Sequence, residues 1–264
     1  LSKETAISFP LMILVWDFMK KRPVFSVRHI LSYILFLAAA LLYLIWRWHL
    51  LGSTAAGLEP DFVDNPLYHA SFFSRVSTAF GVFARCLGLL VLPFRLSADY
   101  SYNQIPILSS FFHILPTLGI AAFISMAFIA IAFRRYTILP LSIILIVFPY
   151  LLVSNIVFPV GTIMGERLLY LSVGGLALLE ARGILHLYDA RHAASCIVCG
   201  VVLAFYSYKT VERNKAWYDD ETLFMKDVQY ASNSVKILSN IGYLKGKAGS
   251  IEESMEYFKK ALEI

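Results

Sequence analysis

The stretch 111–133, FFHILPTLGIAAFISMAFIAIAF, runs without a single Asp, Glu, Lys or Arg. A helix needs about 20 such residues to cross the hydrocarbon of a bilayer. Further apolar runs cover 5–19, 29–46, 137–158, 168–181 and 193–208. Composition agrees: 58% of the chain is hydrophobic and 16% charged, against about 25% charged in soluble domains. The chain reads as an integral, multi-pass membrane protein, an all-α bundle of spans. Its net charge of +5 follows from basic residues at span ends and calls for no nucleic-acid partner.

Three cysteines, Cys86, Cys196 and Cys199, make no disulfide framework. Cys196 and Cys199 form a C-x-x-C inside an apolar run. A redox or metal role needs partly exposed thiolates and further ligands, so the pair reads as small packing residues. The chain begins without Met and ends in helical pattern, as expected of a fragment of a larger protein.

Lys and Arg order the sides. Lys20, Lys21, Arg22 and Arg28 mark one cytoplasmic loop, Arg134 and Arg135 a second, and Arg182 and Arg191 with two His a third. The first two share a side only if one of the intervening runs, 29–46, 73–94 and 111–133, fails to cross. Run 73–94 carries Arg75 and Arg85, and each Arg costs roughly 2.5–3.5 kcal/mol at mid-bilayer. The expectation is that 73–107 is an interfacial or re-entrant segment on the outer face; snorkelling Arg in a true span is the alternative. The polar stretch PFRLSADYSYNQIP, the break PVGTIMGER, the pair Lys3–Glu4 and the chain after the last span then share the outer surface. Residues 50–72 read as a polar loop on that side.

Lys3, Glu4, Arg85, Arg95, Asp99, Glu166 and Arg167 would there form a mixed-charge pocket at headgroup level. Lys3, Arg85 and Arg167 suit a lipid phosphate or diphosphate. A carboxylate could orient a hydroxyl or act as a base. Tyr100 and Tyr102 could stack on a sugar or sit in the interfacial aromatic belt, with Asn103 beside them. Charges at span ends can also simply anchor helices. No metal-ligand spacing, phosphate loop or nucleophile elbow occurs, and no cofactor motif is evident.

From Tyr208 the composition turns soluble. Asp219 or Asp220 is placed to cap a helix with Glu221 in its first turn. Two helical blocks follow around KAGS, with Leu238, Ile241 and Leu244 facing Met255, Phe258 and Ala261. With Val235 as first position, this part resembles one tetratricopeptide repeat, Ser254 replacing a small Ala. One repeat cannot bury its face alone, so further repeats are expected. The domain reading is 1–209 as the C-terminal part of a membrane domain and 210–264 as an extracytoplasmic linker with a first repeat. An ordinary helical hairpin is the alternative.

The residues DNPLYHASFFSRVSTAFGVFARCLGLLVLPFRLSADYSYNQIP and FPVGTIMGERLLYL, with LSKETA and ERNKAWYDDETLF, resemble the transmembrane and tetratricopeptide repeat-containing (TMTC) family. The sequence departs at YLSVGG, which lacks the Pro usual in YLPSVG and puts the local bend there in question. The resemblance implies a GT-C-type membrane glycosyltransferase. It would move a sugar, mannose above all, from a polyprenyl or dolichyl phosphate to a protein or other acceptor on the outer or lumenal face. Its membrane would be a bacterial inner membrane or the endoplasmic reticulum, its partners membrane lipids and proteins held by the repeats. The family's acidic catalytic loop falls upstream of Leu1, where a divalent metal stays an open question. The catalytic residue is therefore unknown, and Asp99, Glu166 and Glu4 are supporting candidates. A membrane-anchored repeat scaffold without catalysis is the alternative. A transporter fits less well, because it would concentrate charge near the midplane.

Overall fold

A computed structural model describes residues 8–20, 26–57, 61–157 and 159–264. Among these, ten α-helices follow in order: α1 Phe9–Met19, α2 Val27–Gly57, α3 Phe72–Val91, α4 Ile114–Ala132, α5 Ile138–Val153, α6 Tyr170–Ala190, α7 His192–Ala216, α8 Asp220–Asp227, α9 Val235–Lys247 and α10 Ile251–Leu262. Five stretches are long and apolar enough to cross a membrane: His29–Trp46 within α2, α3, α4, Glu166–Ala190 and α7. Helices α1 and α5 are apolar but shorter. In hydrocarbon, backbone polar groups must pair within the segment, which favours helix throughout.

Several boundaries move from their expected places. The presumed polar loop 50–72 begins as helix, because α2 continues to Gly57. The short run 168–181 becomes the 21-residue α6. The expected domain boundary at 209/210 falls inside α7, which continues to Ala216. The reason is common to all three. A helix already nucleated propagates through any residue that is not a breaker, and Leu, Ala, Arg and Glu are strong formers. A change in polarity therefore changes a helix's surroundings without ending it. By contrast α5 stops at Val153, just before Asn155, which takes a left-handed backbone with φ of 62°.

Helices α3 and α4 lie side by side and point the same way. The Ser77 hydroxyl donates to the Ser110 carbonyl (2.8 Å) and the Leu108 N–H to Thr78 Oγ1 (2.8 Å), just before α4 starts. Farther along, Phe123 packs edge-on against Phe80 and then Phe83 (ring centroids 5.8 and 6.1 Å). Gly119 makes this approach possible, since a Cβ there would overlap the Phe80 carbonyl. Phe83 is buried and stacks on Tyr150 of α5 at 4.8 Å, whose hydroxyl donates to the Ala79 carbonyl. Helices α5 and α6 close in the same manner: a Cβ at Gly175 would come 2.6 Å from the Ser142 carbonyl oxygen.

One end of this bundle is basic. The Lys20 ammonium at the end of α1 donates to the carbonyls of Arg134 (2.9 Å) and Tyr136 (2.8 Å) in the α4–α5 turn. Arg182 and His186 of α6 line a cavity with that same turn. At the opposite, polar end lie the loops 61–71, 93–113 and 154–169, and α8 and the start of α9 are hydrogen-bonded to the second of them. Cys86 is buried, whereas Cys196 is exposed on the outside of α7 and so does not pack as expected.

Asp219 caps α8, accepting from the Thr222 N–H at 2.7 Å. Ser234 caps α9, which starts at Val235. In the α9–α10 hairpin the Phe258 ring lies against Gly242, and the Ser254 hydroxyl donates to the Gly242 carbonyl (2.7 Å). The expected pairing of faces is only partly realised. Met255 is exposed, and Ile237 and Ile241 pack largely against Phe224, Met225 and Val228 of the α8 region. A helix preceding the hairpin therefore supplies part of its core.

Candidate functional site

The site is built from the loop that follows α3. That helix ends at Val91, two residues before Pro93, which cannot continue it. The chain then turns onto the upper part of α7: Tyr206 donates to the Val91 carbonyl (3.2 Å), and Phe94 packs edge-on against Phe205 (5.7 Å). From Ser97 to Gln104 every residue makes at least one hydrogen bond.

Three carboxylates organise this segment. Glu166 Oε1 accepts from the Ser97 N–H (2.7 Å) and the Tyr100 hydroxyl (2.6 Å). Asp227 of α8 is fully buried and takes a two-pronged contact from Arg213 of α7 (2.5 and 3.2 Å), plus the Ala98 N–H (2.6 Å). Asp99 Oδ2 accepts from the Ser101 N–H (2.9 Å), the Ser101 hydroxyl (2.5 Å) and the Ser234 hydroxyl (2.8 Å). A buried carboxylate is tolerable only when so satisfied. Burial, and then the Glu166 charge, push the Tyr100 phenol well above its ordinary range. It therefore stays protonated and serves as a fixed donor.

The same loop seats the soluble helices. The Tyr102 N–H donates to the Val63 carbonyl (2.9 Å), and its own carbonyl accepts from the Val235 N–H (2.7 Å). The Asn103 N–H donates to the Asn233 carbonyl (2.8 Å). The Gln104 side chain bonds Tyr230 and Asn233. The Tyr102 ring lies against Phe62 at 4.7 Å.

A second knot fixes the neighbouring loops. Asn65 donates to Asn155 Oδ1 (2.8 Å) and to the Val160 carbonyl (2.6 Å), and its own oxygen accepts from the Leu67 N–H (3.1 Å). Both Asn side chains are buried. Arg75 reaches the Ile156 carbonyl at 3.3 Å. Its Nε is buried without a partner among the described residues.

The expected site residues thus divide. Lys3 and Glu4 lie outside the described residues. Asp99 and Arg167 are the chain neighbours of the hydrogen-bonded pair Tyr100 and Glu166, so their segments adjoin. Arg85, Arg95 and Arg167 are exposed. Arg95 contributes the carbonyl that the Tyr100 hydroxyl also reaches (3.3 Å), and α3, which carries Arg85, touches the Glu166–Leu169 turn. Glu166 Oε2 accepts nothing from the described residues, so it is the open acceptor of this floor. Tyr102 and Asn103 are half-buried and tied into the seat of α9 rather than displayed. Among the described residues no cluster of three or more His, Cys, Asp and Glu could hold a metal ion.

Arg213, Asp227, Asn65 and Asn155 were not singled out from sequence. Asn65 stood in the quoted Asp-Asn-Pro stretch, and Arg213 in ERNKAWYDDETLF. Nothing local marks Asp227, which sits in a short polar helix and reads as a surface residue.

The mouse protein O-mannosyl-transferase TMTC3 is 28% identical over 184 residues, 67% of this chain and 20% of that protein. The Drosophila melanogaster protein O-mannosyl-transferase Tmtc3 is 29% identical over 212 residues, 76% of this chain and 23% of its own length. The mouse protein O-mannosyl-transferase TMTC1 is 26% identical over 245 residues, 88% of this chain and 26% of its own length. The chain thus spans about a quarter or less of the length of these relatives. No family model matches the chain, and no solved structure matches it significantly.

Proposed function

Because this chain, an integral multi-pass membrane protein, belongs to the TMTC family, we propose that it is part of a membrane glycosyltransferase. The enzyme moves mannose from a polyprenyl or dolichyl phosphate to a protein. The observation that carries this reading is the alignment of 88% of the chain with a protein named as a protein O-mannosyl-transferase. The GT-C class, the lipid-linked donor and the outer or lumenal face are parts of the proposal.

The geometry supplies roles for the residues present. In this reading the exposed Arg85, Arg95 and Arg167 hold the donor phosphate, Arg being suited to bidentate phosphate contacts. Glu166, oriented through Oε1 by Ser97 and Tyr100, offers Oε2 to a sugar or acceptor hydroxyl. Asp99 positions the loop rather than the substrate. The proposed topology puts the basic end in the cytoplasm and has the segment 73–107 dip inward and return. Its support is that α3 and α4 begin at one end of the bundle and run parallel, so the intervening chain must come back. Labelling of single cysteines at 20, 134 and 99 tests this: accessibility of 20 and 134 from opposite faces would remove it.

The transferase reading is tested in the full-length protein with a polyprenyl-phosphate mannose donor. Arg167→Lys should leave thermal stability nearly unchanged and lower transfer at least tenfold, about 1.4 kcal/mol of transition-state stabilisation. Equal falls in activity and stability would make Arg167 a structural residue. A variant both fully active and fully stable would withdraw it from the site. Wild-type protein that is folded yet transfers nothing from that donor would favour the repeat scaffold, a reading helped by the use of Asp99, Tyr102 and Asn103 to seat α9.

A further inference from the structure

We propose that the basic end of the bundle carries a site for an anionic phospholipid, separate from the polar end and independent of any transferase activity. A cavity of about 470 Å³ opens between the α4–α5 turn and α6, walled by Tyr136 and Leu139 on one side and Leu179, Arg182, Gly183 and His186 on the other. Positions 179, 182, 183 and 186 form one stripe on α6, following the three- and four-residue spacing of a helix face. The volume lies in the range of small-ligand sites.

The occupant follows from chemistry and charge. The lining is overwhelmingly apolar, and it lies at the end of membrane-length helices, where the available apolar partner is an acyl chain. Besides the hydroxyls of Tyr136 and Thr137, its polar members are Arg182 and His186, both exposed and neither with a hydrogen bond or ion pair among the described residues. The exposed Arg134 and Arg135 sit in the adjoining turn, and Lys20 caps that turn's carbonyls. A cationic rim over an apolar slot suits a lipid phosphate above its own tail, and basic pockets between spans recognise such headgroups. The Arg182 fork offers paired donors to phosphate oxygens. Gly183 widens the slot, since a Cβ there would meet nothing within 4 Å.

The test uses the full-length protein in neutral detergent, titrated with phosphatidylglycerol or phosphatidylcholine and read by native mass spectrometry and thermal shift. The wild type should bind phosphatidylglycerol at least fivefold more tightly. Arg182→Gln should erase that preference, and Gly183→Phe should fill the slot and abolish binding of both lipids there without lowering the melting temperature of the lipid-free protein. Equal binding of the two lipids by the wild type would overturn the proposal. So would phosphatidylglycerol binding retained in Gly183→Phe. A Gly183→Phe variant destabilised without lipid would overturn it too, by showing that protein rather than lipid fills the cavity.

Discussion

At the polar end of the bundle Glu166, Asp227 and Asp99 each accept two or three hydrogen bonds, and Gly119 lets two helix backbones touch. At the basic end Arg182, His186, Arg134 and Arg135 are exposed, and their side chains have no partner among the described residues, beside a cavity. The contrast follows from what each kind of group can tolerate. A carboxylate drawn between a span and a soluble helix loses water and must find donors. A long cation at a span end reaches the headgroup region and needs no protein partner. The polar end is therefore held by its own hydrogen bonds, with Glu166 Oε2 left open, whereas the basic end leaves its cations beside an open cavity.

The largest effect that could break this comparison is at Asp227. Asp227→Ala strands Arg213, whose side chain is only 13% exposed. Leaving one partner of a buried pair alone costs about 3–5 kcal/mol. Limited proteolysis should show α8–α10 released before the membrane helices are cut. Survival of that seat with unchanged protection would mean that the backbone contacts of 102–104 suffice.

Next come two identical substitutions at opposite ends. Gly119→Ala forces α3 and α4 apart and should lower stability by about 1–3 kcal/mol, as overpacking does. Gly183→Ala should be neutral within the error of a thermal melt. Similar losses in both would erase the distinction between a tight and an open end.

Ser234→Ala removes the cap that serves the Ile237 N–H (3.2 Å) and one donor to Asp99. The expected loss is about 1 kcal/mol, read as faster hydrogen exchange at the start of α9 with α3 and α4 unaffected.

The smallest effect is a pH dependence. The Thr222 N–H, and then its hydroxyl, hold the Asp219 carboxylate below its ordinary value. A depressed acid stabilises the fold above its unfolded-state value, and that contribution fades as pH falls through the lower, folded one. Asp219→Asn should keep the cap and flatten the acid limb of α8 melting. An unchanged acid limb would remove Asp219 from it.

Hydropathy and charge made much of this molecule legible in advance. The run 111–133 became α4, Asp219 was one of the two candidate caps, and Val235, taken as the first position of the repeat, is the first residue of α9. These features are sums over neighbours in the chain: about 20 apolar residues specify a span wherever they occur, and a cap needs only the next turn. The stretch PFRLSADYSYNQIP was legible as a cluster of polar groups in an apolar setting, but not as a seat. Asp99 is bonded to Ser234 and Ala98 to Asp227, partners more than a hundred residues away. Which carboxylate is buried, which arginine meets it and which is left at the surface depend on how α7 and α8 fold back over that loop. Those pairings are non-local, and no periodicity or spacing encodes them. The sequence alone determined a membrane-length helical chain with soluble helices after it. Tertiary packing decided that its polar centre joins the two parts, because burial makes a charge choose a partner and only the fold brings that partner within reach.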